Sequence, residues 1–314
     1  MENPFATARI QVPRILCVVG PTASGKSGLA LDLARMFDGE IVNADSRQVY
    51  RGMEIGTGIS KKDGGIPHHL YAFLEPHLSI TVSEWRNMAL EKIHQIVERG
   101  KVPIIVGGTG LYIRSLVDNP QYPQVPPQPA LRQMMQHRPL KDLVADLLVC
   151  DPDAAACVDL KNPRRVMRAL EVFLVTSTPF TAQKAMGPPL VHAVQVGLRH
   201  TADMLRTRIE ANIDEMVRAG WVEETKRLLD AQIPKDAIAM TSLGYPEMIQ
   251  YLEQGLPLEH TVNLIKAGVW GYARRQMTWF RKDPRIHWVE DETGAASFWE
   301  EATKNAADLR VPAA

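Results

Sequence analysis

One stretch constrains this chain more than any other: Gly20-Pro-Thr-Ala-Ser-Gly-Lys-Ser27, directly after the apolar run Ile15–Val19. It fills every fixed position of the pattern G-x-x-x-x-G-K-[ST], in which backbone N–H groups at the start of a helix surround phosphate oxygens. The apolar residues that follow recur at helical spacing, as this context requires. We therefore predict a polyphosphate site, with Lys26 reaching the outer phosphates and Ser27 offering its hydroxyl to a magnesium ion.

Composition limits the class of protein. The 314 residues are 45% apolar, enough for one large core or two domains. Lys plus Arg and Asp plus Glu number 36 each, so no global field draws the chain to nucleic acid or to an anionic membrane. The three cysteines indicate neither a disulfide framework nor a zinc site. Met1–Gln11 lacks the apolar core of a signal peptide and no apolar run is long enough to span a bilayer, so we expect a cytoplasmic protein.

Two further apolar runs predict strands that end near the phosphate loop. Glu40–Ala44 leads into Asp45, which should lie beside the loop because strand carboxyl ends line the ligand crevice of an open α/β sheet. Val102–Val106 leads into Gly107-Gly-Thr109, where a phosphate-loop hydrolase usually has a magnesium-binding aspartate. The hydroxyl of Thr109 either hydrogen-bonds a substrate or caps the next helix. The phosphate loop is thus present without obvious machinery for hydrolysis.

The pair His68-His69 invites a metal interpretation. Adjacent side chains diverge, however, and no nearby carboxylate completes a ligand set. We therefore predict histidines that form hydrogen bonds.

Prolines mark the ends of an internal segment. Five of them fall within Asn119–Pro129, which indicates a stiff extended connector, and Gly187-Pro-Pro189 makes a second break. The residues between show helical periodicity, and Ala193–Leu198 then resembles a strand that returns to the main sheet. We predict a helical insertion, residues 120–189, within a catalytic core formed by residues 1–119 and 190–314. The alternative is an ordinary helical excursion within one domain.

Asn162-Pro163 predicts a helix start inside this segment, with a capping side chain followed by proline at the first helical position. Arg164, Arg165 and Arg168 follow within the first two turns. Cations there oppose the helix dipole, by about 0.3–1 kcal/mol each when exposed, so an anion in front of the helix would explain them. In the alternative, the cluster is a solvated face on which Arg168 pairs with Glu171.

The C-terminal third is helical by periodicity and carries an uneven charge. From 259 to 285 there are six Lys or Arg against two Asp or Glu, whereas from 286 to 314 there are two against six. The neutral total therefore hides a basic stretch that suits a phosphate-backbone partner. Trp270 and Trp279 lie in this stretch, where they either stack on bases or pack in the core.

Together these pieces resemble one family over nearly the whole chain, the tRNA dimethylallyltransferases of bacterial type. The matching motifs are G-P-T-A-S-G-K-S at 20–27, A-D-S-R-Q-V-Y-R-G-M-E-I-G-T at 44–57, P-H-H-L at 67–70, V-G-G-T-G-L-Y at 106–112, N-P-R-R-V-M-R-A-L-E-V at 162–172, L-x-x-R-I at 205–209 and R-R-Q-M-T-W at 274–279. One departure is Pro246, where many members carry arginine after Gly-Tyr.

The resemblance implies an α/β fold, a P-loop NTPase-like core with a parallel sheet flanked by helices, and a helical insertion that grips the anticodon stem-loop of tRNA. It also implies transfer of a dimethylallyl group from dimethylallyl diphosphate to N6 of the adenosine 3′-adjacent to the anticodon, with a requirement for Mg²⁺. The implied catalytic residues are Asp45, Thr109 and Arg208, and the implied metal ligand is Ser27. The implied diphosphate-binding residues are Gly20, Pro21, Thr22, Ala23, Ser24, Gly25, Lys26 and Ser27. The implied tRNA-binding residues are Asp45, Ser46, Arg47, Gln48, Thr109, Arg132, Arg164, Arg165, Val166, Met167 and Arg168.

The chemistry of this transfer suits the residues. An exocyclic adenine amine is a poor nucleophile, so the reaction needs a base near N6, and Asp45 is placed for that role. Two other functions use the same loop: a small-metabolite kinase in which Asp45 activates a hydroxyl, and a nucleotide-controlled RNA-binding module without chemistry. The kinase would need neither the arginine helix nor the basic C-terminal stretch. A monomer is the default oligomeric state.

Overall fold

The computed structural model describes residues 12–59, 65–121, 123, 125–183 and 185–304. The chain divides into a core unit, Met1–Val117 with Leu190–Ala314, and a helical unit, Asp118–Pro189. The N-terminal segment Met1–Gln11, for which no signal peptide was predicted, and the last part of the acidic tail lie outside the described residues. Within the described ranges, no helix is both long and apolar enough to cross a membrane.

Strands and helices alternate along much of the chain. The strands are β1 Arg14–Val19, β2 Gly39–Asn43, β3 His68–His69, β4 Val102–Gly107, β5 Pro120–Gln121, β6 Ala185–Met186, β7 His192–Leu198 and β8 Ile286–Val289. The α-helices are α1 Lys26–Met36, α2 Val82–Glu98, α3 Gly110–Val117, α4 Pro129–Gln136, α5 Leu140–Cys150, α6 Ala154–Cys157, α7 Pro163–Thr176, α8 Ala202–Arg218, α9 Trp221–Asp230, α10 Tyr245–Gln254, α11 Leu258–Phe280 and α12 Glu292–Lys304.

A six-stranded sheet in the order β3-β2-β4-β1-β7-β8 forms the centre of the core unit, and its strand pairs are parallel. The chain leaves β1 toward β2 on one side and later returns to β7 on the other side. The loop after β1 therefore lies where the strand order reverses, the place at which open parallel sheets bind ligands. The predicted fold, a P-loop-like parallel sheet flanked by helices, is confirmed.

Helices cover both faces of the sheet. Odd-numbered positions of the run Ile15–Val19 contact an apolar layer that includes α2 and α3, and even-numbered positions contact a layer that includes α1 and α12. A pleated strand imposes this period of two. Because both faces are buried, β1 has a continuous apolar sequence rather than an alternating one. A third apolar cluster packs the segment after β2 against α8, α9, α10 and α11.

His68 and His69 form hydrogen bonds, as predicted. Nδ1 of His68 lies 2.8 Å from the carbonyl of Ile66, and Nε2 of His69 lies 2.7 Å from a carboxylate oxygen of Glu40. The guanidinium of Arg99 donates to the same buried carboxylate at 2.6 Å. In the described part of the chain, no cluster of three or more His, Cys, Asp or Glu side chains is placed to hold a metal ion.

The helical unit has an apolar cluster of its own, in which Leu147 and Val166 are fully buried. Its helix α7 begins as predicted, since the side chain of Asn162 accepts hydrogen bonds from the N–H groups of Arg164 and Arg165. The strands β5 and β6 pair antiparallel at the two ends of the unit. Whether residues 120–189 act as a separate tRNA-gripping domain stays a prediction.

The proline-rich segment differs from the predicted connector. Pro120 begins a short strand and Pro129 begins α4, so the segment contains parts of two elements. Proline suits both places, because the first residue of a strand or helix can do without a donated N–H. Farther along the chain, Trp270 and Trp279 are partly buried against the apolar clusters of the core unit, which supports the core-packing alternative.

Candidate active site

The phosphate loop connects β1 to α1. Gly25 is the N-cap of α1 with φ 88°, a left-handed conformation that a side chain would strain. The amino group of Lys26 donates to the carbonyl of Pro21 at 3.1 Å, which folds the lysine back over the loop. Burial lowers the pKa of Lys26, and the nearby carboxylate of Asp45 opposes this shift. The loop thus presents a cation that a phosphate can neutralise.

Ser24 adds a second polar group to the loop. It is 1% exposed, and its hydroxyl has no hydrogen-bond partner among the residues that the structure describes. A buried hydroxyl left unpaired costs about 1–3 kcal/mol, so a ligand that pairs with it relieves that cost. Lys26 and Ser27 line the adjoining phosphate cavity, which has a volume of about 480 Å³.

Asp45 follows β2 after one intervening residue. Its N–H donates to Oδ1 of Asn43 at 2.8 Å, and its own Oδ1 accepts the N–H of Arg47 at 2.9 Å. The turn after the strand therefore holds the carboxylate in place. Asp45 lines the phosphate cavity together with Lys26 and Ser27, beside the loop as the strand-end argument predicts.

Thr109 lies on the turn after β4. Its hydroxyl oxygen accepts the N–H of Ser46 at 3.0 Å and lies 3.3 Å from the Ser46 hydroxyl. The backbone carbonyl of Thr109, not its side chain, accepts the N–H of Tyr112 in the first turn of α3. The hydroxyl is therefore engaged with the segment after Asp45 rather than with the helix.

Gln276 of α11 links two loops of the site, a role that was not predicted from the sequence. Its Oε1 accepts the N–H of Thr22 at 3.0 Å, and its Nε2 donates to the carbonyl of Gly108 at 2.8 Å. A β-carbon on Gly108 would overlap that amide nitrogen. One signal was available, because Ala273, Gln276 and Phe280 share the buried face of α11. A polar residue on such a face needs a hydrogen-bond partner.

Arg208 reaches the phosphate loop from α8. Its Nε donates to the carbonyl of Ala23 at 2.8 Å. Its Nη2 lies 2.9 Å from the position that a β-carbon would take on Gly25, so glycine lets the guanidinium approach. Arg208 lines the phosphate cavity. Within the described ranges it forms no ion pair.

A second cavity has a volume of about 360 Å³ and is called the apolar cavity after the side chains of its floor. It shares with the phosphate cavity Thr22, Ala23, Asp45, Thr57, Asn212 and Met216. Its floor is formed by the fully buried side chains of Ile209, Ile213 and Trp221. Thr109, on the turn after β4, also lines this cavity. The site therefore combines a polar cavity for phosphate with an apolar cavity, and a carboxylate lies where they meet.

Comparison with known proteins agrees with this geometry. A family model described as IPP transferase matches residues 48–283. The chain belongs to this family. The tRNA dimethylallyltransferase of Thermomicrobium roseum is 39% identical over 88% of this chain and 86% of its own length. That of Streptomyces coelicolor is 39% identical over 88% of this chain and 90% of its own length.

Solved structures of the family have the same fold. The full-length tRNA isopentenylpyrophosphate transferase from Bacillus halodurans aligns with a TM-score of 0.68 at 33% identity, covering 94% of this chain and 99% of that one. A eukaryotic dimethylallyltransferase acting on tRNA aligns with a TM-score of 0.75 at 25% identity, covering 95% of this chain and 78% of that one. The family predicted from the sequence motifs is therefore confirmed.

The family resemblance assigned three neighbours of Asp45 to tRNA. Ser46 and Arg47 line the apolar cavity, whereas Gln48 lines the phosphate cavity. Nε2 of Gln48 donates to the carbonyl of Thr57 at 3.0 Å, so its amide is engaged within the core unit. Their contact with tRNA stays a prediction.

Residues of α7 that the family resemblance assigned to tRNA differ in exposure. Arg164 and Arg165 are exposed, and Arg165 forms an ion pair with Asp159 at 3.5 Å. Val166 is fully buried and Met167 is partly buried in the apolar cluster, so their side chains pack within the helical unit. The structure thus leaves the first two arginines available to a ligand, and their binding of tRNA stays a prediction.

Arg132 and Arg168 instead hold the buried carboxylate of Glu171. Arg132 donates to both of its oxygens at 2.8 Å, Arg168 donates at 2.6 Å, and the N–H of Gln128 donates at 2.7 Å. Burial alone would raise the pKa of Glu171, but these hydrogen bonds lower it to about 2. Arg168 also donates to the carbonyl of Val125 at 2.9 Å. The ion pair that was one of two alternatives for Arg168 is therefore present.

The phosphate cavity fits a magnesium ion held jointly with a diphosphate. Mg²⁺ prefers oxygen ligands and keeps several waters, so it usually takes only one or two protein carboxylates beside substrate phosphates. Ser27 and Asp45 provide a hydroxyl and a carboxylate on this cavity, and the unpaired Ser24 hydroxyl lies in the same loop. These oxygens match the chemistry of the ion.

Proposed function

We propose that this protein transfers the dimethylallyl group of dimethylallyl diphosphate to N6 of the adenosine 3′-adjacent to the anticodon of a tRNA. The observation that carries the proposal is the meeting of the two cavities at Asp45, with Lys26 and Ser27 on one and the apolar side chains of Ile209, Ile213 and Trp221 on the other. Dimethylallyl diphosphate has the same two parts, a charged diphosphate and a small apolar group. The relatives, which are named tRNA dimethylallyltransferase and tRNA isopentenylpyrophosphate transferase, support the proposal.

Asp45 acts as the general base in this proposal. The lone pair of N6 is delocalised into the adenine ring, so N6 needs help to react. N6 attacks the first carbon of the dimethylallyl group, the bond from that carbon to the diphosphate oxygen breaks, and the N6 proton passes to the Asp45 carboxylate. Thr109, which lines the apolar cavity together with Asp45, orients the adenine by hydrogen bonding.

Cationic groups neutralise the departing diphosphate. Lys26, Arg208 and the loop residues Gly25 and Ser27 line the phosphate cavity. Each preorganised group of this kind lowers the barrier by about 2.7–4 kcal/mol. When bound at Ser27, Mg²⁺ supplies further charge stabilisation to the diphosphate oxygens. The transfer is not a hydrolysis, which agrees with the turn after β4, where glycines replace the magnesium-binding aspartate of phosphate-loop hydrolases.

Residues 120–189 are the proposed tRNA-gripping domain, and residues 1–119 and 190–314 are the proposed catalytic core. The exposed Arg164 and Arg165 are the side chains offered to the phosphates of the anticodon stem-loop. The target adenosine must leave the loop stack, at a cost of roughly a few kcal/mol that pocket contacts offset. Because tRNA is the substrate, we place the reaction in the cytoplasm, with a monomer as the working unit.

One incubation tests this function against a metabolite kinase and an RNA-binding module. Protein, Mg²⁺, unmodified tRNA and labelled dimethylallyl diphosphate should give labelled tRNA and pyrophosphate, whereas labelled ATP should give no labelled product. Transfer of phosphate from ATP would favour the kinase. Nucleotide-dependent RNA binding without any product would favour the binding module. A reaction without tRNA controls for hydrolysis of the donor.

A further inference from the structure

Glu224 of α9 is a buried carboxylate in the core unit. It is 2% exposed, and its oxygens accept the N–H groups of Ile55 at 2.8 Å and Gly56 at 2.9 Å. The hydroxyl of Tyr245 donates to the same carboxylate at 2.8 Å and lies 3.2 Å from the carbonyl of Met53. Glu224 thus joins α9 and α10 to the segment after β2.

Glu224 forms no ion pair with a cation among the described residues. Burial raises its pKa, Glu54 adds to the rise, and the hydrogen bonds oppose it without cancelling it. A carboxylate taken out of water without an opposite charge destabilises the folded state. A residue of this kind is better explained by a function than by a contribution to stability.

The segment that Glu224 holds lines both cavities. Gly56 and Thr57 line the apolar cavity, and Thr57 and Gly58 line the phosphate cavity. From another direction, Gln48 donates to the carbonyls of Thr57 and Gly58 at 3.0 and 3.1 Å. The segment forms turns rather than a helix or strand, so its place in the core unit depends on these side-chain bonds.

The indole of Trp221 packs against the same segment. A β-carbon on Gly56 would overlap the indole nitrogen, and a β-carbon on Gly244 would overlap the six-membered ring. Trp221 meets Tyr245 edge to face, with ring centroids 5.7 Å apart, and contributes to the floor of the apolar cavity. A shift of residues 55–58 would therefore change the shape of that floor.

We propose that Glu224 is a positioning residue for the prenyl donor: it holds residues 55–58 against Trp221 and thereby sets the length of the prenyl group that the apolar cavity accepts. This inference rests on the proposed function, because it takes the apolar cavity as the site of the dimethylallyl group. All three neighbours of the carboxylate are donors, so an amide in its place would point an N–H at a donor. Tyr245, the first residue of α10, thus gains a role, since it supplies one of the donors.

The test compares Glu224→Gln with Glu40→Gln. Both glutamates belong to the core unit and both are 2% exposed, but the partners of Glu40, His69 and Arg99, line neither cavity. Steady-state rates are measured with dimethylallyl diphosphate and with geranyl diphosphate at saturating tRNA.

We expect Glu224→Gln to raise KM for dimethylallyl diphosphate about tenfold, as the loss of a buried hydrogen bond predicts, and to leave KM for tRNA unchanged. The donor ratio, kcat/KM for geranyl diphosphate divided by kcat/KM for dimethylallyl diphosphate, should rise because the cavity no longer has a fixed length. Glu40→Gln should alter neither the donor KM nor this ratio.

Tyr245→Phe keeps the two backbone hydrogen bonds of Glu224 and removes the third. It should shift the donor KM and the donor ratio in the same direction by a smaller factor, and it carries the test if Glu224→Gln does not fold. Hydrogen exchange gives a readout without turnover: the amides of Ile55 and Gly56 should exchange faster in Glu224→Gln than in Glu40→Gln.

If the wild-type protein is active and both Glu224→Gln and Tyr245→Phe leave the donor KM and the donor ratio unchanged, the inference is overturned and the proposed function stands. A wild-type protein that prenylates no tRNA would overturn the proposed function instead, and the donor role of Glu224 with it.

Discussion

Glu171 of the helical unit and Glu224 of the core unit are both buried carboxylates, but they are held in opposite ways. Glu171 receives two arginine side chains, and its pKa is lowered to about 2. Glu224 receives only uncharged donors, and burial raises its pKa. The helical unit thus pairs the charge of Glu171 internally, as the core unit does with Glu40, whereas Lys26 and Asp45 lie beside the cavities of the core unit without ion pairs among the described residues.

A charge paired inside the fold contributes to stability, and a charge left beside a cavity is available to a ligand. Substitutions of Lys26 and Asp45 should therefore lower activity more than stability. Substitutions in the Glu171 network should do the reverse.

The largest effect is expected at Asp45. Asparagine keeps the Oδ1 that accepts the N–H of Arg47 but cannot take up a proton at neutral pH. Asp45→Asn should therefore bind both substrates about as well as wild type and lose roughly 10²–10⁴ in the rate of the chemical step. Single-turnover rates and substrate affinities, measured across a magnesium series, check this expectation.

A magnesium-ligand role for Asp45 would give a different pattern. The variant would then bind dimethylallyl diphosphate more weakly, and raised Mg²⁺ would restore part of the rate. Such a rescue would remove Asp45 from the role of base. Lys26→Ala is the companion variant, and it should lower turnover while tRNA affinity holds, because the lysine faces only the phosphate cavity.

The pH dependence of unfolding should have opposite signs for the two glutamates. The folded pKa of Glu171, about 2, lies below its ordinary 4.5, so its stabilisation is complete above pH 4.5 and is lost as pH falls toward 2, about 3 kcal/mol in all. The folded pKa of Glu224 lies above 4.5, so its contribution declines as pH rises through that raised value.

Urea unfolding across the acid range measures both signs. The stability difference between wild type and Glu171→Gln should grow as pH rises from 2 to 4.5. The free energy of unfolding of the wild type, relative to that of Glu224→Gln, should fall as pH rises above 4.5. Parallel curves for the two variants would contradict the contrast between the units.

Local patterns made much of the core unit predictable. The phosphate loop and the strands β1, β2, β4 and β7 follow from apolar runs and glycine placement, and Asp45 follows from the rule about strand ends. The strands β3, β5 and β6 have two residues each and show no periodicity, so they exist only through distant partners. The C-terminal third was predicted to be helical as a whole, so the bounds of α10 and α12 and the strand β8 were not predicted.

Two buried polar residues of the site were missed for a related reason. Glu224 shares the buried face of α9 with Trp221 and Leu228 at helical spacing, just as Gln276 shares that of α11 with apolar residues. This spacing shows that a partner must exist. It does not show which one, because the N–H of Gly56 lies 168 residues away in sequence.

Arg132→Ala should cost less stability than protonation of Glu171 does. It leaves the buried Glu171 with only Arg168 as a cationic partner, so the free energy of unfolding should fall by about 2 kcal/mol, less than when a buried pair is fully broken. Arg138→Ala is the matched control in the same unit, because its ion pair with Asp146 is half exposed and should contribute less than about 1 kcal/mol. Equal losses in the two variants would contradict an internal role for the Glu171 network.

The smallest effect is expected at Arg164 and Arg165, the exposed arginines that the Glu171 network does not use. Replacing both with alanine should weaken tRNA binding and reduce its salt dependence by about one slope unit per lost phosphate contact. Stability should hold or rise slightly, because cations at the start of α7 oppose its dipole. Arg218→Ala, an exposed arginine of the core unit paired with Glu215, is the control. If tRNA affinity and salt slope are unchanged, the two arginines belong to a solvated face and do not bind the tRNA.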